Sequence, residues 1–276
     1  IAAMIERRWI SNSYVNQYYL DDRILQQRSG LLEKSVDKAA VANTDFRPVS
    51  YYRQVLYWLS FFKTNYWILL LVCLAALAFA ALNLNAISVG MFTGGIAASS
   101  IEILLLISFQ ILYGYVYQIL GIIVTIFMAG LAVGSLFCRK RLPNPQIRHY
   151  VALQFAIGIY SVLLPLWFLV LRNAAMNSFV IHSVFFLLTL GVAVMVGMEF
   201  SVATRLRQGT VASVAAELYS IDLMGSALGA LIVTAYLIPI LGIMNVSIVV
   251  GLLSFVSGTV LVIKQKKFTP YTVQVG

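Results

Sequence analysis

The chain has 276 residues, of which 61% are hydrophobic and 11% charged, and its net charge is +9. Soluble domains run at about 45–50% apolar and about 25% charged, so this composition excludes an ordinary water-soluble globule and assigns the chain to a bilayer. The positive charge does not indicate a nucleic-acid surface, because Lys and Arg fall in short clusters between apolar spans, not on one basic face.

Residues 1–47 carry mixed charge, among them Glu6, Arg7, Arg8, Asp21, Asp22, Arg23, Glu33 and Lys34. They read as a short piece of a water-soluble domain, too small to bury a core alone. No initiator Met or signal peptide precedes this stretch, so the true N-terminus is expected upstream. Residues 48–66 are predicted as an amphipathic helix. Pro48 suits a first helical turn, and Tyr52, Val55, Leu56, Leu59 and Phe62 recur at helical spacing. The aromatic load fits a helix at the headgroup level, and packing on a soluble domain fits the same pattern.

Membrane helices are predicted over 67–88, 92–112, 121–138, 149–171, 180–202, 214–238 and 243–263. Each is long enough for roughly 30 Å of hydrocarbon at about 1.5 Å per residue. In lipid, backbone groups must be satisfied within the segment, which leaves helix as the conformation for such spans. The fold class is therefore all-α integral membrane, with about seven transmembrane helices in a 67–263 membrane domain after a short soluble segment. The run Gly90–Ser100, with Gly94, Gly95, Ser99 and Ser100, marks the least regular boundary. A basic tail, 264–276, closes the chain.

Orientation follows from Lys and Arg. With seven crossings, Arg139, Lys140, Arg141, Arg148, Arg205, Arg207, Lys264, Lys266 and Lys267 share one side, and the opposite loops hold only Arg172. The positive side is cytoplasmic, so the C-terminus is expected in the cytoplasm and residues 1–66 in the periplasm. Arg53 and Lys63, beside the first predicted span, pull the other way.

Three stretches carry a family resemblance. The first holds Tyr18-Tyr19-Leu20-Asp21-Asp22-Arg23 and Asn43-Thr44-Asp45-Phe46-Arg47-Pro48, followed by Tyr51-Tyr52 and Tyr57-Trp58-Leu59. The second is Phe109-Gln110 with Tyr113-Gly114-Tyr115, then Phe127-Met128-Ala129-Gly130-Leu131-Ala132-Val133-Gly134. The third runs from Glu217-Leu218-Tyr219-Ser220-Ile221-Asp222 to Leu223-Met224-Gly225-Ser226-Ala227-Leu228-Gly229. Together they resemble the membrane-fused spermidine synthase-like family, in which an aminopropyltransferase-type domain is joined to major-facilitator-like helices. The resemblance implies that residues 1–47 end the synthase-like domain and that the last six helices form a major-facilitator-like half bundle. It also implies a bacterial inner-membrane location. The glycine-rich donor turn of that family has no counterpart in the chain, so its catalytic residues map to no position here and are expected upstream.

Gly130-x3-Gly134 and Gly225-x3-Gly229 each put two small residues on one helix face, the pattern of close helix packing. Glu102, Glu199, Glu217 and Asp222 lie within predicted spans, where an ionisable group faces protein or water. They are candidates for an intramembrane polar path. In the plainer arrangement Glu199 and Glu217 pair with Arg205 or Arg207 near the interface, and Glu102 and Asp222 are packing residues. With helices entered at Met91 and Val214, Glu102 lies roughly 16 Å deep and Asp222 roughly 12 Å, close enough to line one cavity if their helices are neighbours.

His149 and His182 begin consecutive helices on opposite faces and cannot share a metal or haem. Cys73 and Cys138 form no CxxC pair, and no cofactor or metal is expected. Small residues precede both Glu102 and Glu199, and a GxxxG helix follows each, an echo suggesting two three-helix units of opposite topology. The expected function is a non-catalytic membrane module that anchors a synthase-like domain, as a homo-oligomer or with other membrane or periplasmic subunits. The alternatives are half of a transporter for a polyamine or another cation, and an aminopropyltransferase whose active site lies upstream.

Overall fold

The computed structural model describes residues 7–8, 22–35, 43–44, 46–61, scattered positions between 68 and 78, and residues 84–114, 117–173 and 177–265. The chain forms two compact units, Ile1–Ala42 and Asn43–Gly276. The first contains α1 (Asp22–Ser35), an exposed helix. The second contains α2 (Val49–Phe61), α3 (Ala86–Tyr113), α4 (Tyr117–Arg141), α5 (Ile147–Asn173), α6 (Ser178–Leu206) and α7 (Val211–Ile232). A π turn over Val233–Leu237 joins α7 to the short α8 (Ile238–Leu241), and α9 (Ile243–Gln265) follows. The soluble segment was expected to reach residue 47, but Phe46 stacks on Phe168 of α5, so residues 43–47 belong to the second unit.

Among the described residues six helical spans are long and apolar enough to cross a membrane, and the protein is an all-α, multi-pass membrane protein. These six correspond to the second through seventh predicted spans. Ten of the 22 residues of the first, 67–88, and the tail beyond Gln265 lie outside the described residues. The boundary near 88–92 differs from expectation. Asn85 precedes α3, which runs unbroken from Ala86 through Gly90, Gly94 and Gly95. A helix in lipid has no water to rescue a broken backbone, so small residues inside a span become contact points rather than breaks.

The contacts have a pseudo-twofold order. Besides the central contact of α3 with α6, the most extensive pairings are α4 with α6, α3 with α7, and α5 with α9, followed by α3 with α9 and α5 with α6. Exchanging α3–α5 for α6–α9 maps the first two pairs onto each other, the last two onto each other, and α5–α9 onto itself. Three helices reverse the chain direction, so the two units have inverted topology. Gly130 and Gly134 seat α4 on Leu190, Ala193 and Val194 of α6, and Gly225 and Gly229 seat α7 on Phe92 and Ile96 of α3. A Cβ at Gly134 or Gly225 would collide with a backbone carbonyl, of Val194 or Phe92.

The α5–α9 contact shows how a proline is accommodated. Pro165 has no N–H for the carbonyl of Ser161 four residues earlier. That carbonyl accepts from Ser247 Oγ at 2.8 Å, and Ser161 Oγ donates to the Ser247 carbonyl at 2.7 Å. Gly158 and Gly251 let the same two helices approach one turn further on.

The bundle has two chemically different ends. At the basic end lie Arg139, Lys140, Arg141, Arg148, Arg205 and Arg207, with Arg205 donating to the Leu142 carbonyl at 3.0 Å. At the opposite end the Phe46 carbonyl accepts from Ile243 N at 3.0 Å, and α2 packs on α8. Gly242 turns the chain there at φ 79°, and a Cβ would stand 2.7 Å from the Phe46 carbonyl oxygen. Asn43 Oδ1 accepts from both the amide and the hydroxyl of Ser50, which secures the first turn of α2.

Candidate functional site

The site is built on the glycines of α3. Gly90, Gly94 and Gly95 lack side chains at three positions where other helices project polar groups. A Cβ would stand 2.7 Å from the Tyr150 hydroxyl at Gly90, 2.6 Å from Glu199 Oε1 at Gly94 and 2.8 Å from Asp222 Oδ1 at Gly95. Tyr150 comes from α5, Glu199 from α6 and Asp222 from α7, so the cluster lies where the two three-helix units meet.

Gln154 of α5, fully buried, ties the cluster together. Its Nε2 donates to Glu199 Oε1 at 2.6 Å and to the Gly90 carbonyl at 2.8 Å. The same carbonyl accepts from Thr93 Oγ1, which also bonds Ser257 Oγ of α9 at 2.7 Å. Tyr150, also fully buried, donates to the Ile87 carbonyl at 3.1 Å with its hydroxyl beside the Glu199 carboxyl and the Gln154 amide. Glu199 has 0% of its surface exposed. The groups acting on it are Asp222, Tyr150 and Gln154, none of them basic. Three buried acceptor oxygens in this cluster have no hydrogen-bond partner: Gln154 Oε1, Glu199 Oε2 and Asp222 Oδ1.

The four candidate acids thus separate. Glu199 pairs with neither arginine, contrary to the interfacial arrangement expected for it. It sits seven residues before the end of α6, about 10 Å inside, out of reach of the terminal basic groups. Arg207 instead clamps Glu217, with Nη2 2.6 Å from Oε1 and 2.8 Å from Oε2, and donates to Ser88 Oγ at 2.8 Å. Glu217 is thereby a partly exposed ion-pair partner, and belongs to the rim of the bundle. Asp222 and Glu102 do lie on neighbouring helices, α7 and α3. Their depths differ, however, because α3 begins at Ala86 and not at Met91. Counted from the observed starts, Glu102 lies roughly 24 Å in and Asp222 roughly 16 Å. Asp222 is opposite Gly95, two turns before the half-buried Glu102. The partner of Asp222 in the cluster is Glu199, not Glu102.

Tyr150 and Gln154 had no place among the sequence candidates. The signal was present: an amide seven residues into an apolar span is as costly as an acid and needs a partner. Gly94 and Gly95 were visible too, but as an interruption. His149 Nδ1 accepts from Gln146 N at 2.9 Å at the basic end, and His182 packs edge-on among Phe109, Tyr113 and Phe186 at the other. Among the described residues no three His, Cys, Asp or Glu side chains converge. Cys73 and Cys138 are buried thiols.

The fold and site define a polytopic helical membrane protein with a buried acid–amide cluster between inverted units. Compared with protein-family models, curated proteins and solved structures, the chain matches none.

Proposed function

We propose that this chain is a non-catalytic membrane module of the bacterial inner membrane, anchoring a soluble synthase-like domain and serving as a subunit of a membrane assembly. The observation that supports this reading most strongly is the separation of the two ends. The basic loops gather at one, and residues 43–61, the link from the first unit, pack at the other. By the positive-inside preference the basic end faces the cytoplasm and the soluble segment the periplasm. Reporter fusions in the Pro143–Pro145 loop, in the loop after Asn173 and before Asn43 test this. Cytoplasmic signal from the first and periplasmic signal from the other two are expected; a cytoplasmic signal before Asn43 overturns the arrangement. The module itself is expected to bind no S-adenosyl nucleoside, because no phosphate-cradling strand–turn–helix is found in its sequence. Saturable binding of such a donor by calorimetry contradicts that.

A second reading, half of a cation transporter, draws support from one observation. Glu199 and Asp222 are carboxyls inside a bundle of inverted units, where coupling-ion sites are commonly found. It requires a second bundle, from a partner or a second copy, to complete a path. Cation-dependent uptake into vesicles containing the full protein tests it.

A further inference from the structure

We propose that Glu199, Asp222 and Gln154 form a binding site for a small monovalent metal cation of the sodium type. The two carboxyls alone do not require a ligand. The amide makes the case: Gln154 is fully buried, its Nε2 is committed to Glu199 and Gly90, and its Oε1 is left without a donor. Glu199 Oε2 and Asp222 Oδ1 are buried and unpartnered in the same cluster, and the nearby Tyr150 hydroxyl is committed to the Ile87 carbonyl, so three acceptor oxygens are left without a donor. An unsatisfied buried polar group is costly, and three together call for a common positive partner.

A proton meets the need only in part. Placed on Glu199 Oε2 it makes that atom a donor to one acceptor and leaves the third oxygen orphaned. A hard cation engages all three, and carboxylate and carbonyl oxygens are the ligands it takes. No basic side chain of the cluster fills the position. The titratable groups facing the site are Tyr150 of α5, Glu199 of α6 and Asp222 of α7. The sole acid of α3 is Glu102, two turns further along, and α9 presents only the Ser257 hydroxyl, through Thr93. Gly94 leaves the space that the Glu199 carboxyl occupies, since a Cβ there would stand 2.6 Å from Glu199 Oε1. The ligands come from both inverted units, so an occupied site clamps the units together. The site is the same whichever way the bundle faces the membrane.

The test is thermal unfolding of the full chain in detergent, with sodium chloride against choline chloride at equal ionic strength and fixed pH. Sodium at saturating concentration is expected to raise the midpoint by about 2–4 °C or more. Glu199→Gln and Asp222→Asn are each expected to abolish the difference. Gly94→Ala keeps every ligand and displaces only the flexible end of Glu199, so it should fold and lose at least about tenfold in sodium affinity, roughly 1.4 kcal/mol. Radiolabelled sodium binding to the same proteins provides a readout independent of stability. Identical midpoints in sodium and choline overturn the proposal. So does a sodium response that survives Glu199→Gln and Gly94→Ala, or a dependence on pH alone, which reduces the cluster to a protonated carboxyl pair.

Discussion

Gly134 and Gly225 lie so close to the carbonyls of Val194 and Phe92 that an added Cβ would collide with backbone. Alanine at either position is expected to destabilise the bundle by about 1–3 kcal/mol through overpacking. Gly121 has nothing within 4 Å of an added Cβ, and there alanine is expected to be neutral or to stabilise by up to about 1 kcal/mol. Denaturation of the three variants in one detergent ranks them, and equal effects at Gly121 and Gly134 would remove the packing explanation. The acids divide on the same local logic. Glu217 is partly exposed beside Arg207, so Glu217→Gln should cost less than about 1 kcal/mol in the same assay. The small residues were legible in the sequence because the spacing of two glycines is itself a helix-face statement. Which acid is most completely buried was not legible, because two residues equally apolar in surroundings differ only in what the neighbouring helix omits. Gly94 omits a side chain opposite Glu199, and nothing in the sequence near Glu199 records that.

At the level of elements, α5 and α9 are joined by the reciprocal bonds of Ser161 and Ser247 around the carbonyl that Pro165 frees. A double-mutant cycle of Ser161→Ala and Ser247→Ala is expected to give a coupling energy of about 0.6–1.7 kcal/mol, the range found for interhelical bonds in membranes. Zero coupling would mean that glycine packing alone holds the pair. A related accommodation occurs where α7 widens into the π turn at Val233–Leu237 just before Pro239, since a wider turn absorbs the missing N–H. The prolines were plain in the sequence. Their partners were not, because the donor that rescues Ser161 lies 86 residues away. For α3 the helix runs through Gly90–Ser100 because backbone satisfaction in lipid outweighs the modest propensity cost of glycine.

For the whole molecule, the inverted units make each other's core. The central helices α3 and α6 contact one another, and each also packs on helices of the other unit. Neither half is therefore expected to persist alone. Expressed separately, residues 1–173 and 174–276 should be degraded in the membrane, whereas co-expression should restore accumulation and protease resistance. Stable accumulation of either half alone contradicts the interlocked arrangement.

The sequence by itself determined that the chain is helical and membrane-embedded, where its six described spans run, and that charge gathers at alternate loops. These properties are local: hydropathy over about 20 residues and the demand for internal backbone hydrogen bonds act within one segment. The tertiary structure decided which helices touch, that Glu199 rather than Glu102 faces Asp222, and that Gln154 and Tyr150 complete the cluster. Those outcomes depend on steric fit between helices far apart in the chain. In a bilayer every helix surface is about equally apolar, so the choice of partner rests on where a glycine leaves space and where a polar group needs an answer.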